Sequence, residues 1–173
     1  MPDTKIILQT KRLLLRELHP SDAPDLFALN SDPEVLKYTG DEPFASIAAA
    51  RQFLENYHPY ADYGYGRWAV LLKTSGAFAG WCGLKYTPEL AETDIGFRFF
   101  REYWNMGMAT EAARACVDLG FRTFGLPSIV GRVLRENTAS IRVLEKIGLQ
   151  YWKAADFDGQ PGLYFKIHRT AWI

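Results

Sequence analysis

Residues 94–124 constrain this chain more than any other stretch. They read DIGFRFF, REYWNMGMAT and EAARACVDLGFRTF, three pieces with three different patterns. In the first, Ile95, Phe97 and Phe99 alternate with Asp94, Gly96 and Arg98, the period of two that belongs to a strand. In the last, Ala109, Ala112, Ala113, Cys116, Val117, Phe121 and Phe124 recur at spacings of three and four, with Glu111, Arg114, Asp118 and Arg122 on the other side, which predicts an amphipathic helix. Asn105, Met106, Gly107, Met108, Ala109 and Thr110 lead from one into the other. A helix start carries unpaired N–H groups and the positive end of the macrodipole, so it can hold phosphate. Gly107 and Ala109 are small where a ligand would have to approach the backbone. An ordinary strand–helix connection would look the same, and short glycine patterns match by chance.

Length and charge narrow the function classes. A chain of 173 residues suits one compact domain, residues 1–173, and is short for two. Lys+Arg and Asp+Glu both number 20, which argues against a nucleic-acid partner, since such binders carry a basic excess. Cys82 and Cys116 sit in apolar patterns, and His19, His58 and His168 show no ligand spacing, so no metal site is expected. The start MPDTKIILQT lacks a signal-peptide pattern, and no apolar run reaches about 18 residues. The expectation is a soluble, cytoplasmic protein with no membrane partner.

In chain order, residues 6–17 read as a strand, and Ser21 and Asp22 precede a helix carrying Leu26, Phe27 and Leu29. Asp32-Pro33 and Thr39-Gly40 mark loops, and Ser46 caps a second helix. The tyrosine-rich segment YHPYADYGYGRW follows, then a hairpin of residues 67–73 and 78–86. After the central strand and helix come a strand at 128–134, a short helix capped by Asn137, and strands at 149–155 and 162–168. Three consecutive strands before the main helix argue against a dinucleotide-binding fold. The glycine turn also lacks the Lys-Ser/Thr of a P-loop.

TKRLLLR, DPEVLKYTG, YWNMGMATEA and ENTASIRVLEKIGL, with LYFKIHRTAW at the end, carry a resemblance over nearly the whole chain. The sequence resembles the GNAT superfamily of acetyl-CoA-dependent N-acetyltransferases, most of all the ribosomal-protein N-terminal alanine and serine acetyltransferases. The resemblance implies an α+β fold: a mixed, mostly antiparallel sheet of about seven strands, splayed in the middle, with helices on both faces. It implies acetyl-CoA as co-substrate, no metal, and direct acetyl transfer to a primary amine, either a protein N-terminus or a small molecule. Gly107 and Ala109 fill the small positions of the pyrophosphate loop, whereas Trp104 stands where Gln or Arg is commoner. By the same resemblance Phe97, Arg98 and Phe99 offer backbone groups to the pantetheine arm, and Asn137 also bonds it.

For proton transfer, the resemblance points to Asp94 as base, with Glu92 or water as alternatives. The superfamily's usual tyrosine acid is replaced here by Leu144, which leaves Ser140 as the hydroxyl near the cofactor sulfur. That replacement keeps a second reading open, a catalytically weak acyl-CoA sensor on the same fold. The acceptor wall is expected to include Tyr63 and Tyr65, in a glycine-bearing segment. Neither DEPF nor YADYG forms a concentrated acidic pocket, so polycations should be poor acceptors. A homodimer is compatible with the sequence, which does not decide the oligomeric state.

Overall fold

Thr10 folds the first apolar run back on itself. Its N–H donates to Leu13 O at 2.8 Å and its hydroxyl accepts from Leu13 N at 3.1 Å. Residues 6–17 therefore form two antiparallel strands, β1 (Ile6–Gln9) and β2 (Leu13–Glu17). The computed structural model describes residues 4–172. It continues with α1 (Ala23–Leu29), α2 (Pro33–Leu36), α3 (Ile47–Glu55), α4 (Pro59–Tyr63), β3 (Arg67–Leu72), β4 (Phe78–Thr87) and β5 (Glu92–Phe99). The second half holds α5 (Met108–Arg122), β6 (Ser128–Leu134), α6 (Thr138–Lys146), β7 (Gln150–Phe157) and β8 (Gln160–His168). One eight-stranded sheet runs in the order β1-β2-β3-β4-β5-β6-β8-β7, antiparallel everywhere except between β5 and β6. The break at Thr10 accounts for the strand beyond the seven expected.

Local chemistry sets the helix starts. Asp32 caps α2 by accepting from Glu34 N at 3.0 Å, so the Asp-Pro pair opens a helical turn rather than a plain loop. Ser46 caps α3 by accepting from Ala49 N at 3.0 Å. The tyrosine-rich segment contains α4, which the glycines had concealed; Gly64, at φ 82°, ends it in a left-handed turn.

Helices cover both faces. On one, Ala112, Ala113, Cys116 and Val117 of α5 are fully buried against Trp68, Val70, Cys82 and Leu84. Small residues let this helix lie close; a Cβ at Gly120 would stand 2.9 Å from Ile129 Cδ1. On the other face, Leu26 and Leu29 of α1 and Ala50 and Leu54 of α3 pack on Ala69 and Phe78. The second face is helix-covered over β3 and β4 and carries charged and aromatic side chains over β6, β8 and β7. Among the described residues no helix is long and apolar enough to cross a membrane.

Candidate active site

A single rung, Asp94 opposite Val130, joins the parallel strands at the centre of the sheet. Beyond it β5 and β6 diverge, although they continue to Phe99 and Leu134. The phase of the β4–β5 ladder says which backbone groups this leaves open. Phe100 N donates to Ala79 O at 3.0 Å, and alternate residues of an antiparallel strand point their backbone groups the same way. Gly96 and Arg98 therefore bond into β4, and the N–H and C=O of Phe97 and Phe99 face the gap. Trp104 Nε1 donates to Phe99 O at 2.9 Å, at the mouth of the gap. Of the three residues expected to offer backbone groups, Phe97 offers both, Phe99 its N–H, and Arg98 neither. Strand alternation turns Arg98 inward, and its guanidinium bonds Asn30 Oδ1 at 2.9 Å and Asp41 Oδ2 at 2.7 Å.

The turn after β5 enters α5 with Asn105 at φ 61° and Gly107 at φ 76°. Gly107 is the N-cap, and no side chain among the described residues caps this helix, unlike α3 and α6. Glu111 N bonds Gly107 O at 3.0 Å, whereas the N–H groups of Met108, Ala109 and Thr110 find no backbone acceptor among the described residues. Together with the positive end of a 15-residue helix, these donors make a cradle that can receive an anion. Asn105 and Met106 are exposed at its rim and Met108 is buried beneath it. A shallow depression of about 630 Å³ leads from Gly107 and Thr110 along α5 towards Trp172.

The cradle is tied to the β1–β2 turn. Arg12 Nη1 donates to Met106 O at 2.8 Å and Arg12 Nε pairs with Glu111 Oε2 at 2.7 Å. Thr10 Oγ1 donates to Glu111 Oε1 at 2.6 Å. Burial alone would raise the Glu111 carboxyl, but hydrogen bonds from Thr10 and from the backbone and side chain of Arg12 outweigh it and hold the group below its ordinary 4.5. A carboxylate depressed in the folded state adds stability above its unfolded value and loses it as pH falls through the folded value. Glu111→Gln should therefore lower the urea midpoint at neutral pH. The gap to the parent protein should close on acidification below about pH 4.5. An equal gap at every pH would assign the loss to packing instead.

Asn137 caps α6 by accepting from Ser140 N at 3.3 Å, and Ser140 is half-buried at that helix start. Leu144 is 2% exposed and lies over Gly131 of β6, where a Cβ would come within 2.7 Å of Leu144 Cδ2. The position that lacks the tyrosine hydroxyl is thus a packing contact between α6 and the sheet.

Asp94 lies on the opposite face. Its Oδ1 accepts from Arg67 Nη2 at 2.6 Å, and its Oδ2 pairs with Arg132 Nη1 at 3.4 Å. The Arg67 guanidinium rests on Gly96, where a Cβ would stand 2.6 Å from Nη2, and bonds Gly83 O at 2.8 Å. The base expected at Asp94 therefore has both oxygens committed to guanidinium groups. Among the described residues Glu92 has one polar contact, Oε2 to Arg132 Nη2 at 3.3 Å.

Tyr65 is placed in the core, away from any acceptor wall. It is 7% exposed, its hydroxyl is 2.8 Å from Thr93 Oγ1, and its ring is 5.1 Å from that of Phe124, on the α5 side of the sheet. The helix α4 and the left-handed Gly64 turn it inward. Tyr63 stays 39% exposed, edge-on to Tyr86 at 5.0 Å. Tyr60 is pinned: its hydroxyl donates to Arg67 O and accepts from Leu18 N at 3.0 Å. Burial pushes this phenol well above its usual range, so it stays a donor.

With this geometry in view, residues 12–150 match the family described as "Acetyltransferase (GNAT) domain". The chain belongs to the GNAT acetyltransferase family. It is 33% identical over 145 residues to the uncharacterized N-acetyltransferase p20 of Bacillus licheniformis, 83% of this chain and 82% of that one. The GNAT-family acetyltransferase structure from Bacillus anthracis superposes at TM-score 0.81 and 28% identity, over 95% of this chain and 99% of the other. The ribosomal-protein-S5-alanine acetyltransferase of Vibrio fischeri has the same fold at TM-score 0.82 and 14% identity, over 96% and 98% of the two chains.

Two residues of this GNAT site went unnoticed in the sequence, Arg67 and Arg132. Their signal was present: Arg67 opens the otherwise apolar strand RWAVLL, and Arg132 interrupts SIVGRVL, which is apolar after Ser128. A cation at such a position needs a buried partner, and Asp94 is the partner of both.

Proposed function

We propose that the chain, acting as one domain, transfers the acetyl group of acetyl-CoA directly to a primary amine in a ternary complex. The observation that carries this reading is the gap between β5 and β6 opening beside the uncapped start of α5. The N–H groups of residues 108–110 would hold the pyrophosphate, and Phe97 the amide-bearing arm, as an added strand does at a sheet edge. The amine nitrogen attacks the thioester carbon, the C–N bond forms, and charge gathers on the carbonyl oxygen, where the Phe97 N–H can meet it. The C–S bond then breaks. The amine proton passes through water to Glu92, whose Oε1 is free of protein partners among the described residues. The thiolate takes a proton from Ser140 or from water. Asp94 holds Arg67 in place and lies 3.4 Å from Arg132.

Thiol release from acetyl-CoA with a panel of primary amines tests the reading. Tight acetyl-CoA binding with no turnover on any amine would favour an acyl-CoA sensor, a reading that Leu144 supports because it brings no hydroxyl to the cofactor. The cradle has its own test. Gly107 stands at φ 76°, where a β-branched side chain is strained. Gly107→Val should leave the protein folded and weaken acetyl-CoA binding at least about tenfold, or about 1.4 kcal/mol. Calorimetry giving an unchanged affinity would remove the cradle from the cofactor site.

A further inference from the structure

The face of the sheet that carries Asp94 continues, beyond the gap, into a row of cations. Gly96 and Arg132 stand level across the gap, each two residues beyond the Asp94–Val130 rung of parallel strands. Arg132 is opposite Tyr164, and Tyr164 is opposite Lys153, so these three lie in one row over β6, β8 and β7. Lys166 is two residues along β8 from Tyr164 and faces the same way. Trp152, the extra residue of a bulge, folds over the row.

The cations converge. Lys153 Nζ is 4.1 Å from the centroid of the Trp152 ring and 4.9 Å from that of Tyr164, and Lys166 Nζ is 4.2 Å from Trp152. The Arg132 guanidinium lies 5.7 Å from the Tyr164 ring. Among the described residues neither lysine has a carboxylate within 4.0 Å, the limit for an ion pair. Arg132 is only loosely held: among the described residues its two ion-pair contacts measure 3.3 and 3.4 Å, and its buried Nε has no acceptor. On this face, at the gap and beyond it, Arg67, Arg132, Lys153 and Lys166 outnumber Glu92 and Asp94, an excess of positive charge on a chain whose formal net charge is zero. Lysines on an ordinary solvated face extend into water. Here two ammonium groups fold onto one indole, where like charges repel and an anion would relieve them.

We propose that the amine acceptor carries a carboxylate, and that Lys153, Lys166 and Arg132 hold it while the amine reaches the gap. The row starts across the gap from Gly96, and Lys153 stands roughly 10 Å beyond Arg132 at the usual strand spacing. A lysine side chain spans about half of that, so the acceptor has its amine and carboxylate several bonds apart. Trp152, 41% exposed, and Tyr164 supply the apolar floor between them. The same positive field would repel a polyamine.

This inference rests on the acetyl-transfer reading, and the test separates the two. Straight-chain ω-amino acids of several lengths, and short peptides with an acidic second residue, are each compared with the matching amide, in which only the carboxylate is neutralised. The two sets distinguish a free amino acid from a peptide end as the source of the carboxylate. Two partly exposed charge contacts predict a kcat/KM preference for acid over amide of about tenfold, or about 1.4 kcal/mol. Lys153→Gln/Lys166→Gln should shrink that preference to within about twofold, mainly through KM, and Lys153→Glu/Lys166→Glu should reverse it. Lys153 is exposed and Lys166 half-buried, and neither pairs with a carboxylate among the described residues, so neither change leaves a partner charge unpaired, and a melting curve checks the fold. Turnover with equal kcat/KM for acids and amides, or a preference untouched by both double variants, would overturn the carboxylate site alone. Absence of turnover with every amine would overturn acetyl transfer itself.

Discussion

Asp94→Ala is expected to remove about 3–5 kcal/mol of folding stability. Asp94 is 6% exposed and accepts from Arg67 at 2.6 Å, with Arg132 3.4 Å from its second oxygen. Its loss would strand the Arg67 guanidinium, whose side chain is only 17% exposed, against Gly83 and Gly96. A buried charge deprived of its partner costs far more than the pair contributes when intact. Asp94→Asn keeps one acceptor for Arg67 and should be damaged less. Arg67→Leu/Asp94→Leu, which removes both charges, should recover part of the loss, as replacement of a whole buried pair commonly does. Denaturant melts of the three variants check this. If Asp94→Ala unfolds at the parent's midpoint, the carboxylate is not the support inferred here. The kinetic arm decides between support and chemistry: a well-folded Asp94→Asn slowed by about 10²–10⁴ would return the base role to Asp94.

Much of this arrangement was legible in the order of residues, because the signals were local. The period of two in residues 94–99 and the three-and-four spacing after Ala109 both depend on neighbours a few positions away, and both elements formed where they were read. Ser46 and Asn137 capped their helices for the same reason. What the sequence concealed was set by distant contacts. Thr10 divides one apolar run into two strands, and α5 adds a second bond to that turn through Glu111. The tyrosine segment looked open because of its glycines, yet Gly64 ends a helix and Tyr65 is turned under Phe124, across the sheet from Asp94. Arg98 had the right position for a cofactor contact and the wrong parity. Only the register against β4, fixed by Phe100 and Ala79, tells which backbone groups face the gap.

Glu92→Gln is expected to slow turnover by about 10²–10⁴ while acetyl-CoA affinity stays within about twofold. An amine attacks only in its uncharged form, and the proton it sheds must leave for a group that water can reach. Asp94 has both oxygens against guanidinium groups, whereas Glu92, on the same face of β5, has among the described residues a single 3.3 Å contact to Arg132. Its side chain keeps 18% of its surface open, enough for one oxygen to meet solvent. Glutamine preserves the shape and an oxygen for Arg132, and removes only the ability to take a proton. The loss should therefore fall on kcat, and the decline of rate at acid pH that a carboxylate base imposes should flatten in the variant. Stability should change little, because Arg132 retains Asp94. A variant that turned over at the parent's rate with the parent's pH profile would leave water as the proton acceptor and reduce Glu92 to a partner of Arg132. A fall in acetyl-CoA affinity equal to the fall in rate would instead place Glu92 on the cofactor side of the gap.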